Sequence, residues 1–278
     1  MNVQRVIAAA PETMGLSAAE DMRLTWLMSA VEANRFLPAP APENVFVGDG
    51  DYRAIGAEFL GHFVRIGGLR PSDRVLDIGC GIGRIAVPLT QYLDGEPGRY
   101  EGVDPVGEGI AWCGRHITSV YPHFRFCQVD VAHALYNPGG SLRGEEVVLP
   151  FSDGSFDFAA MVSVATHLPS SEIAAYARET VRLLAPGGRL FVTAFLIGPG
   201  DMERADARPR FVPGPEPRSW TADPSAPLGA IGFETGVIEA VLETAGLGIE
   251  RVALGHWRGT PSAHYQDIIV ATKPGARA

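Results

Sequence analysis

The segment Val75–Gly83 constrains the fold of this chain more than any other part of it. It reads Val-Leu-Asp-Ile-Gly-Cys-Gly-Ile-Gly: a short apolar run, one acidic residue and three glycines at alternate positions. The apolar run predicts a buried parallel strand. The glycines predict a backbone turned tightly against a ligand, because only glycine approaches that closely without a Cβ in the way. Residues 84–93 predict a helix whose free N-terminal amides point at the same ligand, and the whole unit is typical of a nucleotide-type site.

Two kinds of nucleotide fit this segment. The residues from Gly81 to Ala86 satisfy the dinucleotide pattern G-x-G-x-x-A, and Asp104 follows about 20 residues later, where NAD sites place the acid that binds ribose. Asp77 separates the two possibilities, because a carboxylate on the strand side of the glycines repels a pyrophosphate but suits the ammonium of a methionine moiety. The dinucleotide interpretation also lacks a Tyr-x-x-x-Lys pair or another partner for hydride transfer.

The pattern of Asp77 followed by Gly79, Gly81 and Gly83 resembles the first motif of class I S-adenosylmethionine-dependent methyltransferases. The resemblance continues in register from about residue 74 to residue 193, and more loosely to the C-terminus. It implies S-adenosyl-L-methionine as the cofactor. The predicted cofactor-binding residues are Asp77, Gly79, Cys80, Gly81, Gly83, Asp104, Pro105, Asp130, Val131 and Ser163.

Two of these acids come directly after predicted strands, where open α/β sheets bind their ligands. Asp104 ends the second strand, a position from which it can accept hydrogen bonds from two ribose hydroxyls; the structural alternative is a cap for the next helix. Asp130 follows the third strand, where its carboxylate can accept from the exocyclic amine of adenine while Val131 makes a backbone contact; the alternative is an ordinary turn residue. The resemblance implies the ribose and adenine roles.

Strands and helices alternate along the rest of the core. Beyond Arg74–Ile78, strands are predicted at Tyr100–Asp104, Phe124–Val129, Phe156–Val162 and Arg189–Phe195, with helices at Val106–Ile117 and Ser171–Leu184. A helix at Gly236–Ala245 and two strands at about Ile249–Leu254 and Gln266–Thr272 follow. This order predicts an α/β fold with a Rossmann-like, doubly wound, mostly parallel sheet and an antiparallel C-terminal strand. A standard dinucleotide-binding fold lacks this antiparallel pair of C-terminal strands.

Two segments lie outside this alternation. Residues 1–70 contain two predicted helices, one starting with the capping box at Ser17 and one at Tyr52–Ile66, and form either a cap over the active site or an oligomer contact. Residues 71–278 are then the methyltransferase core. Seven prolines between Pro199 and Pro227 leave almost no periodicity, which predicts a long lid or disordered loop at about 196–232.

The residues after the fourth strand constrain the methyl acceptor. Amino-group methylation of bases or glutamine places an Asn/Asp-Pro-Pro-aromatic tetrapeptide there, whereas this chain has Ser163-Val-Ala-Thr166. No acidic metal ligands are evident at this edge, so we predict no metal. His167 comes next and is the predicted catalytic residue, a base that takes a proton from an acceptor hydroxyl; alternatively its ring packs there and binds backbone. Weaker candidates are His62, His256 and His264 as bases, and Phe211, Trp220 and Trp257 as the lining of an apolar pocket or as ordinary packing.

Charge, cysteine spacing and the lengths of apolar runs limit the kinds of partner and environment that we expect for this chain. The net charge of −9 over 278 residues disfavours binding to a phosphate backbone. Cys80, Cys113 and Cys127 lack metal-type spacing and predict buried, reduced thiols in a cytoplasmic protein. No apolar run approaches the ~18–20 residues of a membrane helix, and the N-terminal apolar stretch is too short for a signal peptide.

These observations predict a methyltransferase acting on a small molecule, most simply on a hydroxyl, with carbon and amine acceptors open. The stretch from Phe46 to Pro150 resembles bacterial methyltransferases of sugar or secondary-metabolite biosynthesis. We keep two alternatives, an NAD(P)-dependent oxidoreductase and a non-catalytic relative that binds a nucleoside. A homodimer or higher homo-oligomer is a further expectation.

Overall fold

A computed structural model describes residues 15–48, 50–204 and 206–275. The first eleven N-terminal residues, on which the signal-peptide prediction rests, lie outside these ranges, as does part of the predicted cap. The helices are α1 Ala18–Ala33, α2 Tyr52–Arg65, α3 Ala86–Leu89, α4 Gly107–Cys113, α5 Ser170–Leu183 and α6 Val237–Ala245. The longer strands are β1 Arg74–Ile78, β2 Arg99–Asp104, β3 Phe124–Gln128, β4 Phe156–Met161, β5 Leu184–Ala194, β10 Gly248–Ala253 and β11 Asp267–Thr272. The short ones are β6 Leu196–Ile197, β7 Val212–Pro213, β8 Ser219–Thr221 and β9 Ile231–Glu234.

Seven strands of the described residues form one sheet in the order β10-β11-β5-β4-β1-β2-β3. β2 runs parallel to both β1 and β3, with Val75 opposite Tyr100 and Gly102 opposite Phe126. β11 is antiparallel to β5 on one side and to β10 on the other. The predicted fold class is confirmed, including the antiparallel C-terminal strand.

The described residues fall into two compact units. The first unit holds residues 15–130 together with 156–159, and the second holds 131–155 and everything from 160 onward. This division differs from the predicted boundary between residues 70 and 71. The two N-terminal helices belong to the first unit because α2 packs on the segment that follows β1: the Tyr52 hydroxyl donates to the Ile82 carbonyl at 2.9 Å.

Both N-terminal helices begin with the caps that the sequence predicts. Ser17 and Glu20 form the capping box of α1, and the Asp51 side chain accepts from the first amides of α2 at 2.8–2.9 Å. The helices are joined by Arg65, which donates to Asp21 Oδ1 and to Thr25 Oγ1, each at 2.7 Å.

The helix predicted at residues 84–93 is wrong in length, since α3 spans only Ala86–Leu89. Pro88 has no amide hydrogen and cannot bind the Arg84 carbonyl four residues earlier. After it the chain continues as turns with three-residue spacing, such as the bond from Gln91 N to the Pro88 carbonyl at 3.1 Å. Gly56 of α2 lies against the Arg84 carbonyl so closely that a Cβ there would come within 2.6 Å of the oxygen. The helix predicted at Val106–Ile117 is present as α4 followed by a π-helical turn at Gly114–Thr118.

The segment at 196–232 is not the irregular loop that its prolines predict. β6, β7, β8 and β9 form a small second sheet in the order β6-β9-β8-β7, and Thr221 and Phe233 in it are buried. Of its seven prolines only Pro213 lies within a strand, β7, which is at the sheet edge where a missing donor is tolerated. We call residues 196–234 the insert sheet.

A buried ion-pair network lies within the second unit beside the insert sheet. Arg258 donates to Asp201 Oδ2 at 2.6 Å and to Asp267 Oδ1. The other oxygen of Asp267 accepts from the Leu196 amide at 2.7 Å and from Trp257 Nε1 at 2.8 Å. Both buried carboxylates therefore have a cationic partner, as burial of a charge requires.

None of the helices in the described ranges is long and apolar enough to cross a membrane.

Candidate functional site

The glycine turn after β1 has the backbone that only glycine adopts easily. Gly79, Gly81 and Gly83 have φ of 80°, 57° and 77°. The amides of Gly79 and Cys80 both donate to the Val103 carbonyl of β2, at 2.8 and 3.1 Å. A Cβ at Gly81 would overlap Cγ1 of Val47. The turn is thus held in place by β2, and a side chain at Gly81 would require Val47 to move.

Asp104, at the end of β2, closes the turn from the other side. Its Oδ2 accepts from the Gly81 amide and its Oδ1 from the Val106 amide, both at 2.8 Å. The carboxylate is 7% exposed; burial raises its pKa, and the two amide bonds act against that rise. Each oxygen keeps a second lone pair, so Asp104 supports the backbone and still has capacity for hydroxyl donors.

Asp77 is a buried carboxylate with one unused oxygen. The residue is 1% exposed, its Oδ2 accepts a short hydrogen bond from the Tyr100 hydroxyl, and its Oδ1 has no hydrogen-bond partner among the described residues. Burial raises the pKa of Asp77 to about 7, with the nearby Asp104 charge adding to the rise and the Tyr100 bond opposing it. A buried acceptor without a donor is costly. It fits a cofactor that carries an ammonium, and with Asp104 and the glycine turn it fits S-adenosylmethionine.

Tyr100 was not predicted from the sequence. It lies in β2 opposite Val75, two residues along from the position opposite Asp77. The one signal for it was a tyrosine that shares a face of β2 with Gly102 and Asp104, since side chains alternate along a strand.

The remaining predicted cofactor residues are less informative. Cys80 is buried in the turn, where burial raises the pKa of its thiol, and the Pro105 carbonyl accepts from Gln128 Nε2 at 3.0 Å. Asp130 is exposed just past β3. Val131, the first residue of the second unit, is buried and its carbonyl accepts from Asn137 Nδ2 at 3.1 Å. Their predicted roles toward the cofactor stay predictions.

Ser163, in the second unit, has a strained backbone. Its φ of 56° is rare for a residue other than glycine. The conformation is held by a bond from its amide to Thr193 Oγ1 at 2.7 Å and by a bond from its hydroxyl to Gln266 Oε1 at 3.2 Å. Strain of this kind is found at functional sites.

His167, also in the second unit, has a defined tautomer. Its Nδ1 lies 2.9 Å from the Leu228 carbonyl, which can only accept, so Nδ1 carries the proton and Nε2 carries the lone pair. Nε2 is 3.5 Å from the Tyr136 hydroxyl. Burial lowers the pKa of His167, although the bond to Leu228 acts in the other direction. The ring is therefore neutral near pH 7, and the basic nitrogen is the one facing Tyr136.

His133 supports this arrangement and was not predicted from the sequence. Its Nε2 donates to the His167 carbonyl at 2.9 Å, while its Nδ1 accepts from the amides of Leu135 and Tyr136 at 3.2 and 3.3 Å. Both ring nitrogens of His133 are occupied, so it holds the backbone of the His167 turn and has no nitrogen left for a substrate.

The other histidine and aromatic candidates make contacts that support the fold. His62 pairs with Glu58 at 3.0 Å within α2, and the His256 ring packs at 5.4 Å from that of Tyr265. Phe211 and Trp257 belong to a buried cluster with Phe195, and Trp220 packs against it. Of the two alternatives for these aromatic residues, the structure supports ordinary packing, because they form the core beneath the insert sheet. No group of metal-ligating residues occurs among the described positions.

The sheet order and the glycine turn with its two acids define a nucleoside-binding α/β domain of the kind that binds S-adenosylmethionine. Residues 75–188 match the family model described as a methyltransferase domain. These residues are similar to methyltransferase domains, and the predicted resemblance to class I S-adenosylmethionine-dependent methyltransferases and the predicted cofactor are confirmed.

Known relatives agree with this assignment. The chain is 30% identical over 121 residues to a sterol 24-C-methyltransferase of Schizosaccharomyces pombe, covering 44% of this chain and 27% of that protein. It is 30% identical over 132 residues to a 2-phytyl-1,4-naphtoquinone methyltransferase of Synechocystis, covering 48% and 49%. The chain thus spans half or less of the length of these curated relatives. The structure of a SAM-dependent methyltransferase from Methanosarcina mazei shares the fold, with a TM-score of 0.51 and 22% identity over 74% of this chain and 95% of that one.

Proposed function

We propose that this protein transfers the methyl group of S-adenosylmethionine to a hydroxyl of a small molecule, such as a secondary metabolite or sugar, with His167 as the general base. The methyltransferase domain at residues 75–188 supports the reaction class. The fixed tautomer of His167 is the observation that carries its role as the base.

The first unit would hold the cofactor. Asp77 Oδ1 would accept from the ammonium of the methionine moiety, and Asp104 would accept from the ribose hydroxyls while it keeps Gly81 in place. When bound, the cofactor supplies a methyl group on a sulfonium that needs little activation. The protein's contribution is then mostly positioning and the exclusion of water.

His167 would take the proton that a hydroxyl loses as it is methylated. A general base must present a lone pair and must be unprotonated at the working pH. His167 meets both requirements, because the Leu228 carbonyl holds the proton on Nδ1 and because burial lowers the pKa of the ring. The Tyr136 hydroxyl contacts Nε2 at 3.5 Å, and an acceptor hydroxyl would take its place there.

Methylation of carbon is the second candidate. The curated relatives favour it, since one of them is a sterol 24-C-methyltransferase. In that reaction His167 would again act as a base, but it would take a proton from the methylated carbon and not from a hydroxyl. The NAD(P)-dependent alternative receives no support from the family match.

Substitution of His167 tests the role of the base. We expect His167→Ala to lower kcat by about 10²–10⁴, with cofactor affinity nearly intact and partial recovery at higher pH. His167→Gln keeps a hydrogen bond but cannot take the proton, so it should be about as impaired. His256→Ala, a change at an exposed histidine of the same unit, is the matched control and should have little effect. Full activity of His167→Gln would show that His167 only orients the acceptor.

The reaction itself is tested with methyl-labelled S-adenosylmethionine and pools of small hydroxylated molecules. The expected result is a product heavier by one labelled methyl group, whose position is read by mass spectrometry and NMR. A label on carbon would support the second candidate. Calorimetric binding of NAD(P), and not of S-adenosylmethionine, would contradict the proposal altogether.

A further inference from the structure

We infer that Tyr100 is a positioning residue of the cofactor site: its hydroxyl holds one oxygen of Asp77, presents the other to the ammonium of S-adenosylmethionine, and sets the lowest pH at which the cofactor binds well. The inference rests on the cofactor site of the proposed function. Tyr100 does not itself contact the cofactor in this scheme.

The Tyr100 ring cannot move away from Asp77. It is fully buried, stacks on Phe124 with centroids 5.1 Å apart, and lies 5.5 Å from the Phe126 ring. Burial raises the pKa of Tyr100 well above its usual value, so the hydroxyl keeps its proton and is the donor. The short bond to Oδ2 therefore fixes the Asp77 carboxylate in one orientation.

The other oxygen of Asp77 points to a cationic ligand. Oδ1 is buried and has no hydrogen-bond partner among the described residues. A buried carboxylate is stabilised by a positive partner or by several donors, and Tyr100 supplies only one. An ammonium provides both a charge and donor hydrogens.

The chain brings no positive charge to this carboxylate among its described residues. The titratable groups that face Asp77 within the first unit are Tyr100 and Asp104 of β2, Cys80 of the glycine turn and Cys113 of α4. All are neutral or negative. The one titratable residue among 156–159 of β4 is Asp157. It pairs at 2.8 Å with Arg74, which begins β1, whereas Asp77 lies near the end of that strand.

Cofactor binding should accordingly depend on the ionisation of Asp77. Burial raises the pKa of Asp77 to about 7, and the Tyr100 bond limits the rise. A protonated carboxyl does not attract an ammonium, so the affinity for S-adenosylmethionine should fall as the pH falls through that region. Loss of the Tyr100 hydroxyl removes the bond that favours the charged form, and the pKa of Asp77 then rises further.

The experiment is a calorimetric titration of S-adenosylmethionine into the wild-type protein and Tyr100→Phe between pH 6 and 9. The wild-type dissociation constant should increase up to tenfold for each pH unit below the pKa of Asp77; we call this rise the acidic limb. In Tyr100→Phe the acidic limb should begin about one pH unit higher. The alkaline limb belongs to the cofactor's own α-amino group, with a pKa of about 7.7–8.0, and should not move.

Two variants serve as controls. Tyr92→Phe removes another partly buried hydroxyl of the first unit, which donates to the Leu69 carbonyl at 2.8 Å, and should leave the profile unchanged. Asp77→Asn should bind weakly and lose the acidic limb. Incorporation of fluorotyrosine, a stronger donor of nearly the same shape, should move the acidic limb to lower pH even if Tyr100→Phe does not fold.

The possible outcomes separate the inference from the proposed function. A Tyr100→Phe protein with a uniform loss of affinity at every pH, or with no change, would overturn the positioning role, as would an unmoved limb with fluorotyrosine. A wild-type protein that does not bind S-adenosylmethionine at any pH would instead overturn the proposed function.

Discussion

At the scale of single residues, the two strands beside the glycine turn carry, near their carboxyl ends, two buried acids that have different hydrogen-bond partners. Asp104 has both oxygens occupied by backbone amides, whereas Asp77 has one oxygen without a donor among the described residues. Burial raises the pKa of both carboxyls, so both cost stability in the absence of a ligand. Lower stability at residues that serve a function is common in proteins.

Substitution of Asp104 should weaken cofactor binding. We expect Asp104→Ala to lower the affinity for S-adenosylmethionine by about 1.5–3 kcal/mol, the range for hydrogen bonds to a charged group, as measured by calorimetry. Asp94→Ala is the matched control, because that carboxylate also accepts from backbone amides, at 2.9 Å from Gly98 N, but lies after α3 and away from the turn. Unchanged affinity in a folded Asp104→Ala protein would contradict the ribose assignment.

At the scale of elements, the insert sheet is the part of the second unit that differs most from its prediction. The rings of Phe195, Phe211 and Trp257 pack against one another with centroids 5.2–5.6 Å apart. Arg258 then ties Asp201 of the insert to Asp267 of β11. The segment is thus anchored by a core and an ion-pair network of its own, and the role of a lid over 196–232 stays a prediction.

Removal of the cation from this network should destabilise the protein strongly. Arg258→Met leaves two buried carboxylates without their partner, which typically costs about 3–5 kcal/mol; urea unfolding measures the loss. Arg218→Met removes an exposed ion pair with Glu234, 3.0 Å long, and should cost much less, because solvent screens exposed charges. Equal effects of the two variants would contradict the structural role of the network.

At the scale of the whole molecule, charge and exposed apolar residues bear on partners. The net charge is −9. On α1, Met22 and Trp26 are each 72% exposed. The exposed apolar residues are compatible with the predicted oligomer contact, which stays a prediction like the N-terminal cap itself.

Nucleic acid should not be the acceptor. We expect no salt-sensitive, micromolar binding of duplex or transfer RNA at physiological salt, because an acidic protein does not release counterions from a phosphate backbone. Fluorescence anisotropy with labelled RNA measures this, and a basic RNA-binding protein serves as the positive control. Micromolar binding that weakens as salt is raised would overturn the prediction.

Local patterns were enough to predict most of the sheet. β1 was predicted to the residue, and β2, β3, β4 and β11 within one residue at either end. The reason is that a buried strand is a short run of apolar residues, which is a property of neighbouring positions. The left-handed glycines follow from the same local pattern. The position of Asp104 beside the turn follows from the rule that open α/β sheets bind their ligands at the carboxyl ends of the strands.

Contacts between residues that are far apart in the chain are visible in the tertiary structure but not in the sequence. Asp77 and Tyr100 are 23 positions apart, and His167 and Leu228 are 61 positions apart, so no periodicity indicates either pair. The approach of α2 to the segment before α3 depends on a glycine of α2, and the insert sheet depends on hydrogen bonds between strands of two to four residues. The local pattern of residues indicates the position of the glycine turn. The donor-free oxygen of Asp77 and the lone-pair nitrogen of His167 depend on packing between distant segments, because their partners lie far away in the chain.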